Sequence, residues 1–380
     1  MKYLFIKTVY STQINCSLFE SGHGVKEYQV QIEINDIELI FEKQQECIEK
    51  SLIWLMKEKI KGCKCVFKRY FLSDIHNQFE ELSRNRTDDC AISMVGQPPL
   101  NGTKVALWAY LQTDMNISKT NEGLFKAEHN GFCHLRSASN YSAALGSEMQ
   151  SHLLLCNYKK QLEEIGCSLF NHCIRTWFFV QDVDNNYSGL VKARNEVFAK
   201  CGLTSQTHFI SSTGIEGKSI LSQSMVMMDT YAIRGIQQEQ LRYLNASDYL
   251  SPTSIYGVSF ERGTEITYGD RRHIFISGTA SIDDKGQIVG EGRIEQQTLR
   301  MLENVKSLLR EGGTTFSDIA SAIVYLRDLT DYPFVKALLR EKLPFLPIVF
   351  VYASVCRPEW LIEMECMAIA PEGDQRFKDL

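Results

Sequence analysis

Between residues 296 and 343 the apolar positions keep first a helical and then a strand period. Leu299, Leu302, Val305 and Leu309 recur at helical intervals, and Gly312-Gly313 ends the run. Residues 320–326 follow as a strand closed by Arg327-Asp328. A second helix is predicted over 332–342, stopped by Pro344 and Pro347. The same order occurs twice upstream. Helices are predicted over 149–165 and 46–60, strands over 175–182 and 66–74, and second helices over 187–200 and from Gln78 onward. The three strands close on Phe71-Leu72-Ser73-Asp74, Phe179-Val180-Gln181-Asp182 and Tyr325-Leu326-Arg327-Asp328. An Asp at each strand-to-helix junction reads as a helix N-cap.

Each unit ends in a comparable section: 94–100 before a strand over 105–111, 210–215 before a strand over 225–233, and 348–355 before a last turn and strand. A hairpin about Gly269-Asp270 precedes the helix of the third unit, and 132–137 is its counterpart in the second. Strand–strand–helix–strand–helix–strand, three times over, predicts an α+β fold. Each unit makes a small mixed sheet with helices on one face, and the boundaries fall near 117 and 240, giving units 1–117, 118–240 and 241–380.

The last strand carries the strongest chemistry. From Leu361 to Ile369, alternation puts Glu363 and Glu365 on one face with Leu361, Met367 and Ile369, and Arg357 sits at the turn before it. A partly desolvated carboxyl beside a second carboxylate holds its proton longer than a free Glu. That arrangement offers an acid, a base and an anion anchor.

Bulk properties exclude several alternatives. With 380 residues and a net charge of −5, the chain has no basic footprint for a nucleic-acid backbone. No long apolar run predicts a membrane span, and the charged residues near Met1 argue against a signal peptide, so a cytoplasmic location is expected. The twelve cysteines are scattered; Cys63 and Cys65 are the nearest pair, and no CxxC occurs. They read as buried thiols, with no metal site.

Residues 274–370 resemble the RidA/YjgF superfamily, also labelled endoribonuclease L-PSP. The matching pieces are Ile276-Ser277-Gly278-Thr279-Ala280, Leu302-Glu303-Asn304-Val305, Tyr325-Leu326-Arg327-Asp328 and Glu363-Met364-Glu365. The resemblance implies a chorismate-mutase-like unit, usually a homotrimer with small-molecule clefts between subunits. Three units in one chain then make a covalent pseudo-trimer, either monomeric or in a low-order homo-oligomer. The whole chain is similar to chorismatases, through Thr176-Trp177-Phe178-Phe179-Val180 with Arg194-Asn195, Ser212-Thr213-Gly214-Ile215, and Cys356-Arg357-Pro358-Glu359 before Glu363. This implies that Glu363 protonates an enolpyruvyl methylene and that Cys356 sits where the family varies its product, as in the hydroxybenzoate-forming branch. No cofactor is implied, and the partner is a small carboxylate substrate. The segment Pro347-Ile348-Val349-Phe350-Val351 lacks the Arg that RidA imine deaminases carry there.

The candidate set is therefore Glu363 and Glu365 as catalytic carboxyls, with Arg357, Cys356, Arg136, Ser212, Thr213 and Gly214 around the substrate. Arg357 is a carboxylate clamp or a surface turn arginine. Arg136 is a second anion anchor or one half of an ion pair. Ser212-Thr213-Gly214 offers hydroxyls to a polyoxygenated ligand or is a punctuated turn. Cys356 has no His near it in sequence, which favours lining a pocket over nucleophilic attack. The alternatives to chorismate cleavage are enamine or imine deamination and metabolite binding without turnover.

Overall fold

Three six-stranded mixed sheets share one strand order. The computed structural model describes residues 1–22, 24–84 and 90–380, with Tyr256 described in its backbone alone. The first sheet contains β1 (Lys2–Lys7), β2 (Thr12–Phe19), β3 (Glu27–Ile34), β4 (Cys63–Leu72), β5 (Ala91–Gly96) and β6 (Val105–Thr113), ordered 1-2-3-6-4-5, with α1 (Phe41–Glu58) and α2 (Ile75–Arg84) in its crossovers. The second has β7 (Asn116–Lys119), β8 (Phe125–His129), β9 (Phe132–Tyr141), α3 (Ser147–Glu164), the one-turn α4 (Leu169–His172), β10 (Cys173–Val180), α5 (Val183–Lys200), β11 (Ser211–Glu216) and β12 (Val226–Arg234). The third has β13 (Leu241–Leu244), β14 (Gly263–Thr267), β15 (Arg272–Ala280), α6 (Ile294–Glu311), β16 (Ile319–Leu326), α7 (Tyr332–Lys342), β17 (Ile348–Tyr352) and β18 (Ile362–Ala370). In every sheet the pair joined by the second helix is parallel and the other pairs are antiparallel.

The central strands read as near-continuous apolar runs because both faces are buried. On β6, Val105, Leu107, Ala109 and Leu111 pack in the core with Ile48, Leu52 and Leu55 of α1. Ala106, Trp108 and Tyr110 turn the other way, into a core shared by all three units. On β12, Val226, Met228 and Ala232 lie in a core with residues of α3 and α5, and Met227, Tyr231 and Ile233 face the shared core. Helices thus cover the outside, and the inner faces of the three sheets meet on a common axis.

The final sections of the units meet pairwise. Gly96 bridges Lys218, Pro99 bridges Val351, and Ile215 bridges Val355. Backbone bonds at these places satisfy groups that three exposed sheet edges would leave open.

Charges are buried where the units join. Arg69 of β4 lies among the rings of Phe67, Trp108, Trp177 and Phe179, its guanidinium carbon 4.9–5.4 Å from their centroids. It donates to Asp229 of β12 at 2.9 Å. Arg175 of β10 donates to Glu365 of β18 at 2.9 Å, and Trp177 Nε1 donates to the other Glu365 oxygen at 2.8 Å.

Some sequence expectations change. The edge strands β1, β7 and β13 were not expected; β7 and β13 have four residues each, and β1 buries none of its residues. α1 begins at Phe41 rather than Glu46, and α5 at Val183 rather than Tyr187. The N-cap reading holds in part for Asp328, whose carboxylate accepts the Thr330 N–H at 2.8 Å and caps the 3-10 turn over 329–331, while the N-cap of α7 itself is Asp331. Asp182 instead takes a left-handed conformation with φ of 52°, and Glu216 of β11 caps α5 by accepting from Asp182 N and Val183 N at 2.9 and 2.7 Å. The Asp74 carboxylate accepts the Asn77 side chain, while the Asp74 N–H donates to Gln78 Oε1 at 3.0 Å.

Arg69→Met leaves Asp229 buried without its counter-charge, and the expected cost is about 3–5 kcal/mol, seen as a lower urea midpoint. Combining it with Asp229→Asn should recover part of the loss. A single variant with an unchanged midpoint would contradict the role given to this pair.

Candidate active site

The second and third units enclose a cavity of about 350 Å³. Its floor is set by β11, which is stitched to the third unit at both ends. Ser211 bridges Glu261, Ile215 bridges Val355, and Glu216 N donates to Ser354 O at 3.0 Å. Between those ties Ser212, Thr213 and Gly214 face the cavity. Opposite, β15 breaks register with β18 between Ile276 and Thr279. That bulge turns Ser277 and Gly278 towards β11, where Ser277 Oγ accepts from Ser212 N at 2.9 Å and Gly278 N donates to Thr213 Oγ1 at 3.0 Å. The turn after β17 adds Cys356, Arg357 and Trp360, and α5 adds Tyr187 and Arg194.

Two glycines are required by close approach. A Cβ on Gly278 would collide with the Glu363 carboxylate, and one on Gly214 would stand 2.8 Å from the Tyr187 ring.

Glu363 is 5% exposed and lines the cavity. Among the described residues no hydrogen bond or ion pair holds its carboxyl. Burial pushes its pKa up to about 8, the adjacent Glu365 charge adds to this, and Arg175 and Arg262 oppose it. At neutral pH the group is a carboxylic acid facing open space. Around it stand Arg194, Arg262 and Arg357. Arg194 is 1% exposed, and among the described residues its Nε and Nη2 have no hydrogen-bond partner. Arg262 donates to Ser251 O at 3.0 Å and, like Arg194, lies against the Phe260 ring. Arg357 lies 4.7 Å over the Trp360 ring. Arginines lining a cavity favour an acceptor-rich ligand, and guanidinium donors suit carboxylates.

The structure brings together Glu363, Arg357, Cys356, Ser212, Thr213 and Gly214. Two expected members lie elsewhere. Arg136 sits in a separate cavity on the axis, because β9 turns it inward beside Tyr231 and Tyr110. Glu365 lines that same cavity and not the cleft, since its oxygens accept from Arg175, Trp177 and Thr213. Thr213 is correspondingly occupied: its hydroxyl donates to Glu365 and accepts from Arg175 at 2.5 Å. It orients the wall rather than offering a free hydroxyl. Burial and the nearby Glu363 push the Cys356 thiol up to about 12, so it lines the pocket as a thiol, in contact with the Tyr187 hydroxyl.

Sequence reasoning missed Arg194, Arg262, Tyr187 and Arg175 as site residues. A signal existed for two of them. Arg194 falls on the buried stripe of α5 with Leu190, Ala193 and Val197, and Arg175 interrupts a wholly buried strand. A charge in such a place is rarely idle.

Comparisons with known proteins agree with this architecture. The endoribonuclease L-PSP family model matches residues 265–370. Over 98 residues the chain is 37% identical to a RutC family protein of Pyrococcus abyssi, covering 25% of this chain and 76% of that protein. Over 97 residues it is 29% identical to the 3-aminoacrylate deaminase RutC of Acinetobacter baylyi, covering 25% and 77%. A solved chorismatase structure matches 80% of this chain and 92% of its own with a TM-score of 0.64, at 16% identity, a likeness of fold. The chain belongs to the endoribonuclease L-PSP family of the RidA/YjgF superfamily, and its three-unit fold is that of the chorismatase. Among the described residues no helix is long and apolar enough to cross a membrane.

The raised Glu363 pKa has a stability consequence. The folded chain holds a proton that the unfolded chain releases near 4.5, so this group's contribution falls as pH rises to about 8. Glu363→Gln should therefore gain stability relative to the parent across that window, by on the order of a few kcal/mol, and stay level above it. Thermal unfolding at several pH values checks this; a constant difference would show an ordinary carboxylate.

Proposed function

We propose that the cleft binds a small cyclic enolpyruvyl carboxylate, chorismate being the first choice, and cleaves its ether bond by acid catalysis from Glu363. The observation that carries this reading is a buried carboxyl, protonated at neutral pH, facing a cavity with Arg194, Arg262 and Arg357 around it. A cleft with three guanidiniums and a neutral acid is matched by a dianion. About 350 Å³ suits a compact metabolite.

The chemistry follows from the enol ether. The Glu363 O–H bond breaks as a C–H bond forms at the terminal methylene, leaving positive charge shared by the ether carbon and oxygen. Water adds to that carbon and returns a proton to the Glu363 carboxylate. The resulting hemiketal breaks the bond between its ketal carbon and the ether oxygen, its hydroxyl proton passing to that oxygen, which releases pyruvate and a ring alcohol. Arg194 and Arg357 hold the carboxylates, and Ser212 and the backbone at Gly214 contact ring oxygens. Glu365 is a positioning residue: held by Arg175, Trp177 and Thr213, it keeps its neighbour protonated at rest. Cys356, against Tyr187, borders the reacting group and steers the product, so Cys356→Ala should change the product ratio more than the rate of chorismate loss.

The similarity to a RutC deaminase supports a second reading, hydrolysis of an enamine or imine. β17, Ile348–Tyr352, carries no arginine to hold such a substrate in the way the superfamily resemblance implies. In a third reading, the cleft binds a metabolite without turnover.

Purified protein should release pyruvate from chorismate, with kcat falling above pH about 8 as Glu363 loses its proton. Glu363→Gln should lower kcat by about 10²–10⁴-fold. Arg194→Met should act mainly on KM. No pyruvate from folded protein would sink the proposal, and ammonia from a freshly generated imine would move it to deamination.

A further inference from the structure

A second cavity, of about 50 Å³, lies on the axis where the three inner sheet faces meet. Arg175 and Glu365 line it, and Thr213, hydrogen-bonded to both, lines the cleft, so these side chains form the wall between the two spaces.

Strand register gives the axial lining in equivalent triplets. Gln29, Arg136 and Phe275 stand at one level, paired across the strands with Tyr110, Tyr231 and Met367. Three separate copies of one unit would repeat a single residue at each level, and three arginines on an axis would repel. Fusion has left one. Arg136 is 7% exposed, and its guanidinium stacks over Tyr231 at 4.4 Å and Tyr110 at 5.3 Å. Among the described residues it makes no hydrogen bond and no ion pair.

The neighbouring acids are taken. Glu365 is held by Arg175, Trp177 and Thr213. Glu27 is held by Arg271 at 2.6 Å, by His273 at 2.8 Å and by the Tyr110 hydroxyl. Ring faces alone do not replace the hydration of a buried cation, whose remaining requirement is a counter-ion. We propose that the axial cavity binds a compact monovalent carboxylate held by Arg136, at a site separate from the cleft. The planar fork of the guanidinium matches two carboxylate oxygens, and the Tyr231, Tyr110 and Phe275 rings suit a short apolar tail. The space corresponds to roughly three to five waters, the size of acetate or a slightly larger acid.

The test uses the full chain in a carboxylate-free buffer of constant ionic strength, with acetate and acetamide as probes. Acetate should raise Tm saturably, by on the order of 2 °C or more, and acetamide should not. Glu363→Gln should respond like the parent, which separates this site from the proposed reaction. Arg136→Met should start from a higher Tm and lose the response. If that variant fails to fold, a nuclear Overhauser contact in the parent from the acetate methyl to the Tyr110 or Tyr231 ring protons reports the same site. An equal response to acetate and acetamide, a full acetate response in Arg136→Met, or no such contact at saturating acetate overturns the proposal.

Discussion

The ion pair between Arg175 and Glu365 crosses from the second unit to the third at 2.9 Å, in an interior where both side chains are almost fully buried. In such surroundings a pair holds only if its remaining polar atoms are also bonded. They are: Ser277 accepts from Arg175, while Trp177 and Thr213 donate to Glu365. The pair fixes β18 against β10, and Thr213 of β11, bonded to both side chains, sets the wall of the cleft. It also leaves a committed charge two residues from Glu363 on the same strand. Glu363 is buried without such donors, and it keeps its proton up to about pH 8. Two carboxyls of one sequence pattern thus have opposite environments, and the difference lies in what the neighbouring unit presents to each.

Register across the three sheets shows how far the units have diverged. Tyr325, Phe179 and Phe71 are equivalent, and they pair with Glu363, Met227 and Ala106. Two positions on, Glu365 corresponds to Asp229 and Trp108. The outer position keeps an acid in one unit, whereas the inner position keeps charge in two, each paired with an arginine of the preceding unit. Among the described residues, the buried acid without an arginine partner at the outer position stands at a single interface. Buried ion pairs at the inner position join the units at two.

Much of the fold was legible because three strands share an aromatic-aliphatic-polar-Asp close and sit between helical runs. The edge strands were not, since β1 is half-exposed and β13 has four residues. The cleft was half legible. Glu363 and Arg357 stood out by local pattern, Cys356 and the Ser212–Gly214 run by the chorismatase resemblance, and all of them line one cavity. The shared Asp misled at Asp182, where Glu216 from a strand more than thirty residues on takes the capping role. Arg136 and Glu365 face the axis because of strand register between units, which periodicity within one strand does not contain. Arg194 and Arg175 could have been found by asking why a charge interrupts a buried stripe.

The proposed cleft between the second and third units holds a dianionic enol ether against a protonated Glu363. Its most direct test is a crystal structure of Glu363→Gln soaked with chorismate, the substitution keeping the shape while removing the acid. One ligand is expected in this cleft, its carboxylates on Arg194 and Arg357 and its terminal methylene within about 3–3.5 Å of the position 363 side chain. A ligand seated elsewhere, or one whose methylene points away from position 363, would contradict it.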